Sequence, residues 1–154
     1  MGIKYFYPIN SYKSIEECLN LGADGTEIDV QMTKDNVLIA YHHSNLDDYT
    51  QCSGIINDKT WPEIENCTYK LLLSKNPELI SLEKLFSSIA NLHNYRWTFD
   101  CKLYNNSNDP DIYIDRFTNA IIAIVERHEL EDNIFIESQS EKFLKNLKDK
   151  KQYY

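Results

Sequence analysis

Residues 22–34 read Gly-Ala-Asp-Gly-Thr-Glu-Ile-Asp-Val-Gln-Met-Thr-Lys, and this segment is the most informative in the chain about its fold. Over residues 26–32 polar and apolar side chains alternate, which predicts a half-buried β-strand. Because successive side chains of a strand point to opposite faces, Glu27, Asp29 and Gln31 share its polar face. Two carboxylates on one face repel each other, so a positive group is expected between them. Hard oxygen ligands at this spacing suit calcium or magnesium, and a solvent-facing strand edge is the ordinary alternative.

Periodic patterns on both sides of this strand predict alternating helices and strands. The predicted helices run from Asn10–Ser11 to Gly22, over 81–92, over 111–128 and from Ser140 onward, with a short one at Trp61. The other predicted strands cover residues 37–41, 96–103 and 133–138. Strands that alternate with helices indicate an α/β fold with right-handed crossovers. We therefore expect about four parallel strands with crossover helices in a single domain covering residues 1–154.

Composition narrows the classes of partner and the location. The 154 residues carry a formal net charge of −8, which disfavours nucleic acid and anionic membranes as partners. No apolar run reaches the roughly 18 residues that a membrane helix needs, so stable membrane insertion is not expected. No signal segment is visible, which favours a soluble cytoplasmic protein and leaves an extracytoplasmic one open if the N-terminus was removed. The four cysteines show no Cys-x-x-Cys spacing and are predicted to be free or buried thiols.

Further polar groups lie on or just after the other predicted strands. Asp100 and Lys102 lie two apart on the third strand, where Asp100 is a candidate third metal ligand and Lys102 a candidate phosphate contact. His42 follows the second strand and is a candidate general acid or base. Glu137 ends the fourth strand and is the weakest candidate. An ion pair and a structural histidine are the ordinary alternatives, but four strands that present polar groups at one end of a sheet favour a common site.

Three segments together resemble the glycerophosphodiester phosphodiesterases. Residues 8–11 read Pro-Ile-Asn-Ser, where the family has P-E-N-T. Residues 22–35 match its G-A-D-x-I-E-x-D-V-x-x-T-K-D, and residues 41–47, Tyr-His-His-Ser-Asn-Leu-Asp, correspond to its H-D-x-x-L. Further along, Asp100-Cys101-Lys102 looks like the family's E-x-K strand, and residues 136–138 look like the strand after it. The resemblance extends, with varying strength, from about Pro8 to the last predicted helix.

This resemblance implies a (β/α)8 TIM barrel that hydrolyses small-molecule glycerophosphodiesters to glycerol 3-phosphate and an alcohol. The family uses a divalent cation and two histidines as general acid and base. Carried over by position, Glu27, Asp29 and Asp100 would bind the metal ion. His42 would be one of the two histidines, and Lys102 would contact the phosphate.

The chain also departs from the family pattern. No H-R-G motif, the source of the other histidine and of an arginine, precedes Pro8. Ile9 replaces the glutamate of P-E-N, and His43 replaces the aspartate of H-D. Asp100 occupies the position of the glutamate in E-x-K. A TIM barrel typically takes about 250 residues. We therefore expect a partial barrel, truncated at both ends, whose strands correspond to the second to fifth of the family.

Two other functions stay open at this point. One is a non-catalytic module that binds a phosphodiester or a metal ion, since parts of the catalytic pattern are missing. The other is a related phospholipase-type phosphodiesterase, such as a phosphatidylinositol phospholipase or a sphingomyelinase D-like enzyme. The tyrosine-rich stretch from Tyr49 to Tyr69 is a candidate capping insertion, which would bear on the choice of substrate.

Overall fold

The computed structural model describes residues 7–70, 77–106 and 109–150. Its α-helices are α1 (Tyr12–Asn20), α2 (Trp61–Ile64), α3 (Leu82–Ser88), α4 (Pro110–Arg127) and α5 (Glu141–Lys150). Its strands are β1 (Gly25–Met32), β2 (Leu38–Ala40), β3 (Arg96–Cys101) and β4 (Ile134–Glu137). Short 3₁₀ turns cover Ile56–Asp58 and Leu92–Asn94. The predicted alternation of helices and strands is confirmed.

The four strands form one open sheet in the order β2-β1-β3-β4. β1 pairs in parallel with β3, and β3 in parallel with β4. β2 pairs antiparallel with β1, so the expectation that all four strands are parallel is wrong for this one. Residues 33–37 return the chain within a tight turn, in which Asn36 takes a positive φ of 68°. So short a connection can join only antiparallel neighbours, because a parallel pair needs a crossover of a dozen residues or more.

One face of the sheet and the helices that cover it form the main core. Its largest side chains include Trp97, Tyr113, Phe99, Phe117 and Phe143, all fully buried. The other face carries Glu27, Asp29, Thr98, Asp100, Phe135 and Glu137, which the parallel register aligns across β1, β3 and β4. On that face Phe135 is 66% exposed. The alternation read from the sequence thus separates a helix-covered apolar face from an open polar one.

Side-chain caps define where several helices begin. Ser11 accepts a hydrogen bond from the Ser14 amide at the start of α1, and Ser81 accepts one from Lys84 at the start of α3. The helix predicted over 81–92 is shorter than expected, because α3 ends at Ser88. Ile89 is extended, and Asn91 takes a left-handed φ of 55° before the next turn. Ile89 and Leu92, which were predicted to lie in this helix, still pack against the core although they lie outside α3.

The expectation of four free thiols is wrong for Cys52 and Cys67, which form a disulfide. Thr50 and Tyr69 pair as an antiparallel bridge, which brings the two cysteines to a Cα–Cα distance of 5.9 Å. That distance lies within the range of protein disulfides. The two cysteines are 15 residues apart in sequence, and this spacing did not indicate that they lie close together. The thiols of Cys18 and Cys101 are free, as predicted.

None of the helices within the described ranges has the combination of length and apolarity needed to cross a bilayer.

Two phenylalanines on opposite faces of the sheet test this division into faces. Phe99 is fully buried and Phe135 is mostly exposed. We expect Phe99→Ala to lower the free energy of unfolding by about 3–5 kcal/mol, because it leaves a cavity in the core. The matched change Phe135→Ala should alter it by no more than about 0.5 kcal/mol. Urea unfolding followed by circular dichroism measures both, and equal losses would contradict the assignment of the faces.

Candidate metal centre

The parallel register places three acidic side chains next to one another. Asp29 of β1 pairs with Asp100 of β3, and Asp100 pairs with Glu137 of β4. Glu27 lies two residues before Asp29, on the same face. Glu27, Asp29 and Asp100 each offer a carboxylate oxygen, and these oxygens all lie within 4.8 Å of one another. Three hard oxygen donors at this separation fit calcium or magnesium by their chemistry.

Asp29 is the most buried member of this group, with 7% of its surface exposed. Asn10 holds it on both sides. The Asn10 side-chain amide donates to Asp29 Oδ2 over 2.8 Å, and Asn10 Oδ1 accepts from the Asp29 backbone amide over 3.1 Å. Asn10 is itself buried and takes a left-handed φ of 64°. The asparagine therefore fixes both the backbone and the carboxylate of Asp29.

Lys102 supplies the positive charge at this end of the sheet. Its ammonium lies 3.1 Å from Asp29 Oδ1 and also bonds to Asp100 Oδ2. The contact with Asp29 is an ion pair without hydrogen-bond geometry, so that oxygen accepts no hydrogen bond among the described residues. Burial by itself would lower the pKa of Lys102, but the two carboxylates outweigh it and raise the pKa above its ordinary value. Lys102 is therefore a permanent cation beside the acidic group.

Glu27 is the carboxylate that Lys102 compensates least. Burial raises the pKa of Glu27, and the negative charges of Asp29, Asp100 and Glu137 raise it further. The Lys102 ammonium lowers this pKa, but not by enough to cancel the other effects. A raised carboxyl pKa means that the ionised form is disfavoured in the fold, and that the folding stability tied to this group is lost as pH rises through that pKa. A cation at the site would favour the ionised form.

His42 lies in the same region as the acidic group, although it follows the antiparallel strand. It is exposed and lines an open cleft of about 520 Å³ together with Glu27 and Asp29. Its Nδ1 lies 3.4 Å from His43 Nδ1, and the His43 ring stacks on Tyr49 at 3.6 Å between centroids. Burial lowers the pKa of His43, and the neighbouring His42 lowers it further.

Gln31 connects this histidine loop to the strand that carries the acids. Its side-chain amide donates to the carbonyl oxygens of Tyr41 and His43, over 2.7 and 2.8 Å. Gln31 is third on the polar face of β1, after Glu27 and Asp29. The same strand therefore carries two carboxylates and the group that holds His42 beside them.

The other predicted site residues lie around this centre in different ways. Asp100 and Lys102 also line a smaller cavity of about 270 Å³ beside Ser138. Glu137 is exposed, acts on Glu27 through its charge and does not belong to the group of three. Asn10 and Gln31 were not among the residues predicted for the site. The alternation of β1 already placed Gln31 on the polar face, whereas the contact of Asn10 depends on a turn that no periodicity reveals.

The Asn10 contact can be tested without changing the backbone conformation. Asn10→Gly keeps the left-handed turn but removes both hydrogen bonds to Asp29. Because a buried carboxylate then loses a partner, we expect the free energy of unfolding to fall by about 1–3 kcal/mol. Asn91→Gly is the matched control, since Asn91 is exposed, left-handed and makes no capping bond with its side chain. A loss of the same size in both variants would mean that the effect comes from the glycine rather than from Asp29.

Comparison with known proteins places the chain in a family. The profile of the "Glycerophosphoryl diester phosphodiesterase family" matches residues 2–154. A glycerophosphodiester phosphodiesterase of Bacillus altitudinis is 41% identical over 64 residues, which cover 42% of this chain and 26% of that protein. The chain therefore aligns with only part of the length of its relatives.

Solved structures of the family share the fold. A glycerophosphodiester phosphodiesterase from Agrobacterium tumefaciens superimposes with a TM-score of 0.81 at 20% identity, over 98% of this chain and 60% of that one. A phosphodiesterase from Oleispira antarctica, in complex with the product sn-glycerol-3-phosphate, gives a TM-score of 0.77 at 16% identity, over 96% and 59% of the two chains. The open sheet corresponds to part of their barrel. The chain belongs to the glycerophosphoryl diester phosphodiesterase family.

Proposed function

We propose that this chain is the metal-binding part of a phosphodiesterase that hydrolyses glycerophosphodiesters to glycerol 3-phosphate and an alcohol. The observation that carries the proposal is the group formed by Glu27, Asp29 and Asp100, beside His42 and Lys102, in a member of this family. The Oleispira relative holds sn-glycerol-3-phosphate, which supports the same product here. We further propose calcium or magnesium as the cation, because all three candidate ligands are carboxylates.

The side chains have distinct roles in this proposal. A divalent ion bound by the three carboxylates supplies Lewis-acid chemistry at the phosphoryl group. Lys102, which stays charged, contacts a phosphate oxygen as a point charge. His42 is exposed to the cleft and exchanges a proton with a substrate oxygen through its ring nitrogen. Asn10 and Gln31 position Asp29 and His42 and do not touch the substrate.

Metal binding is the first test of the proposal. Titration calorimetry with calcium and with magnesium should show binding to the unmodified chain. Glu27→Gln and Asp100→Asn should each weaken it by at least about tenfold, since even changes of supporting groups around a metal ion cost 10–100-fold. Glu137→Gln removes the same charge from the same face but lies outside the group of three, so it should change the affinity much less. Absence of binding, or binding unchanged in Glu27→Gln, would refute the metal centre.

Turnover is the second test, because binding alone does not establish catalysis. Because the other histidine and the arginine of the family pattern are missing from this chain, we expect only slow hydrolysis of a glycerophosphodiester, measured as released glycerol 3-phosphate. That residual rate should require the cation and fall further, by up to about 10²–10⁴-fold, in His42→Ala. Lys142→Ala, on the exposed surface of α5, is a control that should leave the rate unchanged. Turnover that persists in His42→Ala would remove this histidine from the proposed mechanism.

The same assay separates the two alternative functions. Ile9 and His43 stand where the family pattern has acidic residues, and this favours a non-catalytic module that binds a phosphodiester. Metal binding with no turnover of any diester would support that module. A related phospholipase-type enzyme would instead cleave a lipid phosphodiester and would leave the soluble glycerophosphodiesters intact.

A further inference from the structure

A second cavity adjoins the metal cleft on the other side of His42. It measures about 330 Å³, and its walls include Tyr41, His43, Tyr49, Tyr69 and Lys70. His42 and Ile9 line both this cavity and the cleft that contains Glu27 and Asp29. The two spaces are therefore neighbours, and a single molecule that reaches past His42 can occupy both.

The walls of this aromatic pocket are held together by long-range contacts. The Gln51 amide donates to the Thr68 carbonyl, and the Lys70 amide donates to the Tyr49 carbonyl, both over 2.8 Å. The disulfide between Cys52 and Cys67 links the same two segments covalently. Tyr49 and Lys70, far apart in sequence, thus lie on one side of the pocket. Tyr49 is half exposed, and its ring lies flat on His43 with an interplanar angle of 9°.

The pocket also contains polar groups that remain available to a ligand. Tyr69 is 4% exposed, and its buried hydroxyl has no hydrogen-bond partner among the residues that the structure describes. Such a group is expected to find a partner, because an unsatisfied buried hydroxyl is costly. The Lys70 ammonium donates to the Asp47 carbonyl oxygen, which is an uncharged acceptor. It forms no ion pair within the described ranges, so its positive charge is not neutralised by a direct contact.

We propose that this aromatic pocket binds the alcohol head group of the diester, and that it selects an uncharged polyhydroxy alcohol over a quaternary ammonium alcohol. The proposal rests on the proposed function, which places the phosphate and the glycerol at the metal cleft. The other substituent on phosphorus then lies beyond His42, within reach of a histidine that can protonate it as it leaves.

The residues that line the aromatic pocket explain why a polyhydroxy alcohol is preferred there. Flat aromatic rings pack against the C–H faces of a polyol, and the lysine ammonium donates hydrogen bonds to its hydroxyls. Aromatic rings alone would also attract a quaternary ammonium group. The Lys70 ammonium lines the same cavity and repels it, whereas Asp47 and Asp48, whose charges also reach Tyr41, do not line the cavity. The cavity is also of a size that binds small molecules.

Binding of two diesters of opposite head-group chemistry tests the proposal. We use non-hydrolysable analogues of the glycerophosphodiesters of myo-inositol and of choline, in which methylene groups replace both bridging oxygens, so that both ligands stay intact. Calorimetry with the full chain, with and without calcium, should show the inositol diester binding about tenfold more tightly, the scale of one hydrogen bond to a charged group. Lys70→Met should bring the two affinities to within about twofold, mainly by weakening the inositol diester. Tyr49→Ala should weaken both.

The controls distinguish failure of this pocket from failure of the proposed function. Lys142→Met removes a distant exposed lysine and should preserve the preference. Tighter binding of the choline diester, or a preference unchanged in Lys70→Met, would overturn the head-group assignment. Binding of neither diester to a chain that binds calcium through Glu27 would overturn the pocket and leave the metal centre in place. A chain that binds no calcium but shows the Lys70-dependent preference would overturn the metal centre alone.

Discussion

The parallel pairing of β1 with β3 is the constraint on which the rest of the site depends. It fixes Asp29 beside Asp100, although like charges on adjacent strands repel each other. A buried carboxylate is tolerated only when it is paired and hydrogen-bonded. Lys102, the residue directly after β3, provides the pairing, and Asn10 provides the hydrogen bonds from the turn before α1. The apolar side chains on the reverse of both strands, Ile28 and Phe99 among them, hold the register that makes these contacts possible.

This arrangement uses the two faces of the sheet for different purposes. The face toward the helices is filled by large apolar side chains and supplies most of the stability. The open face carries the acidic group and also Phe135, which is mostly exposed. In the longer structures of the family the corresponding strands form part of a barrel, so the open face corresponds to the barrel interior. An exposed phenylalanine among carboxylates is therefore expected for a chain that matches about 60% of such a barrel.

Much of the fold and of the centre could be predicted from the sequence, because both depend on period-two alternation. That alternation placed Glu27, Asp29 and Asp100 on one face, and the structure brings them together. The direction of β2 could not be predicted from its composition, because a buried apolar run is the same whether the strand is parallel or antiparallel. The tight turn at Asn36 determines it. The disulfide and the hydrogen bonds between Asn10 and Asp29 could not be predicted for a related reason. Both join segments that approach each other only in the tertiary structure.

The charges at the candidate metal centre suit a divalent ion, although part of them is already balanced within the protein. Three carboxylates and one ammonium leave two formal negative charges, which one divalent cation would neutralise. Lys102 already compensates Asp29 and Asp100, so the buried part of the group is satisfied by the protein itself. The remaining electrostatic repulsion acts on Glu27, which lies at the cleft. Burial and the acidic neighbours raise the pKa of this carboxylate. A cation that entered from the cleft would therefore first meet Glu27, the exposed carboxylate of the group and the one that no ammonium of the described residues contacts directly.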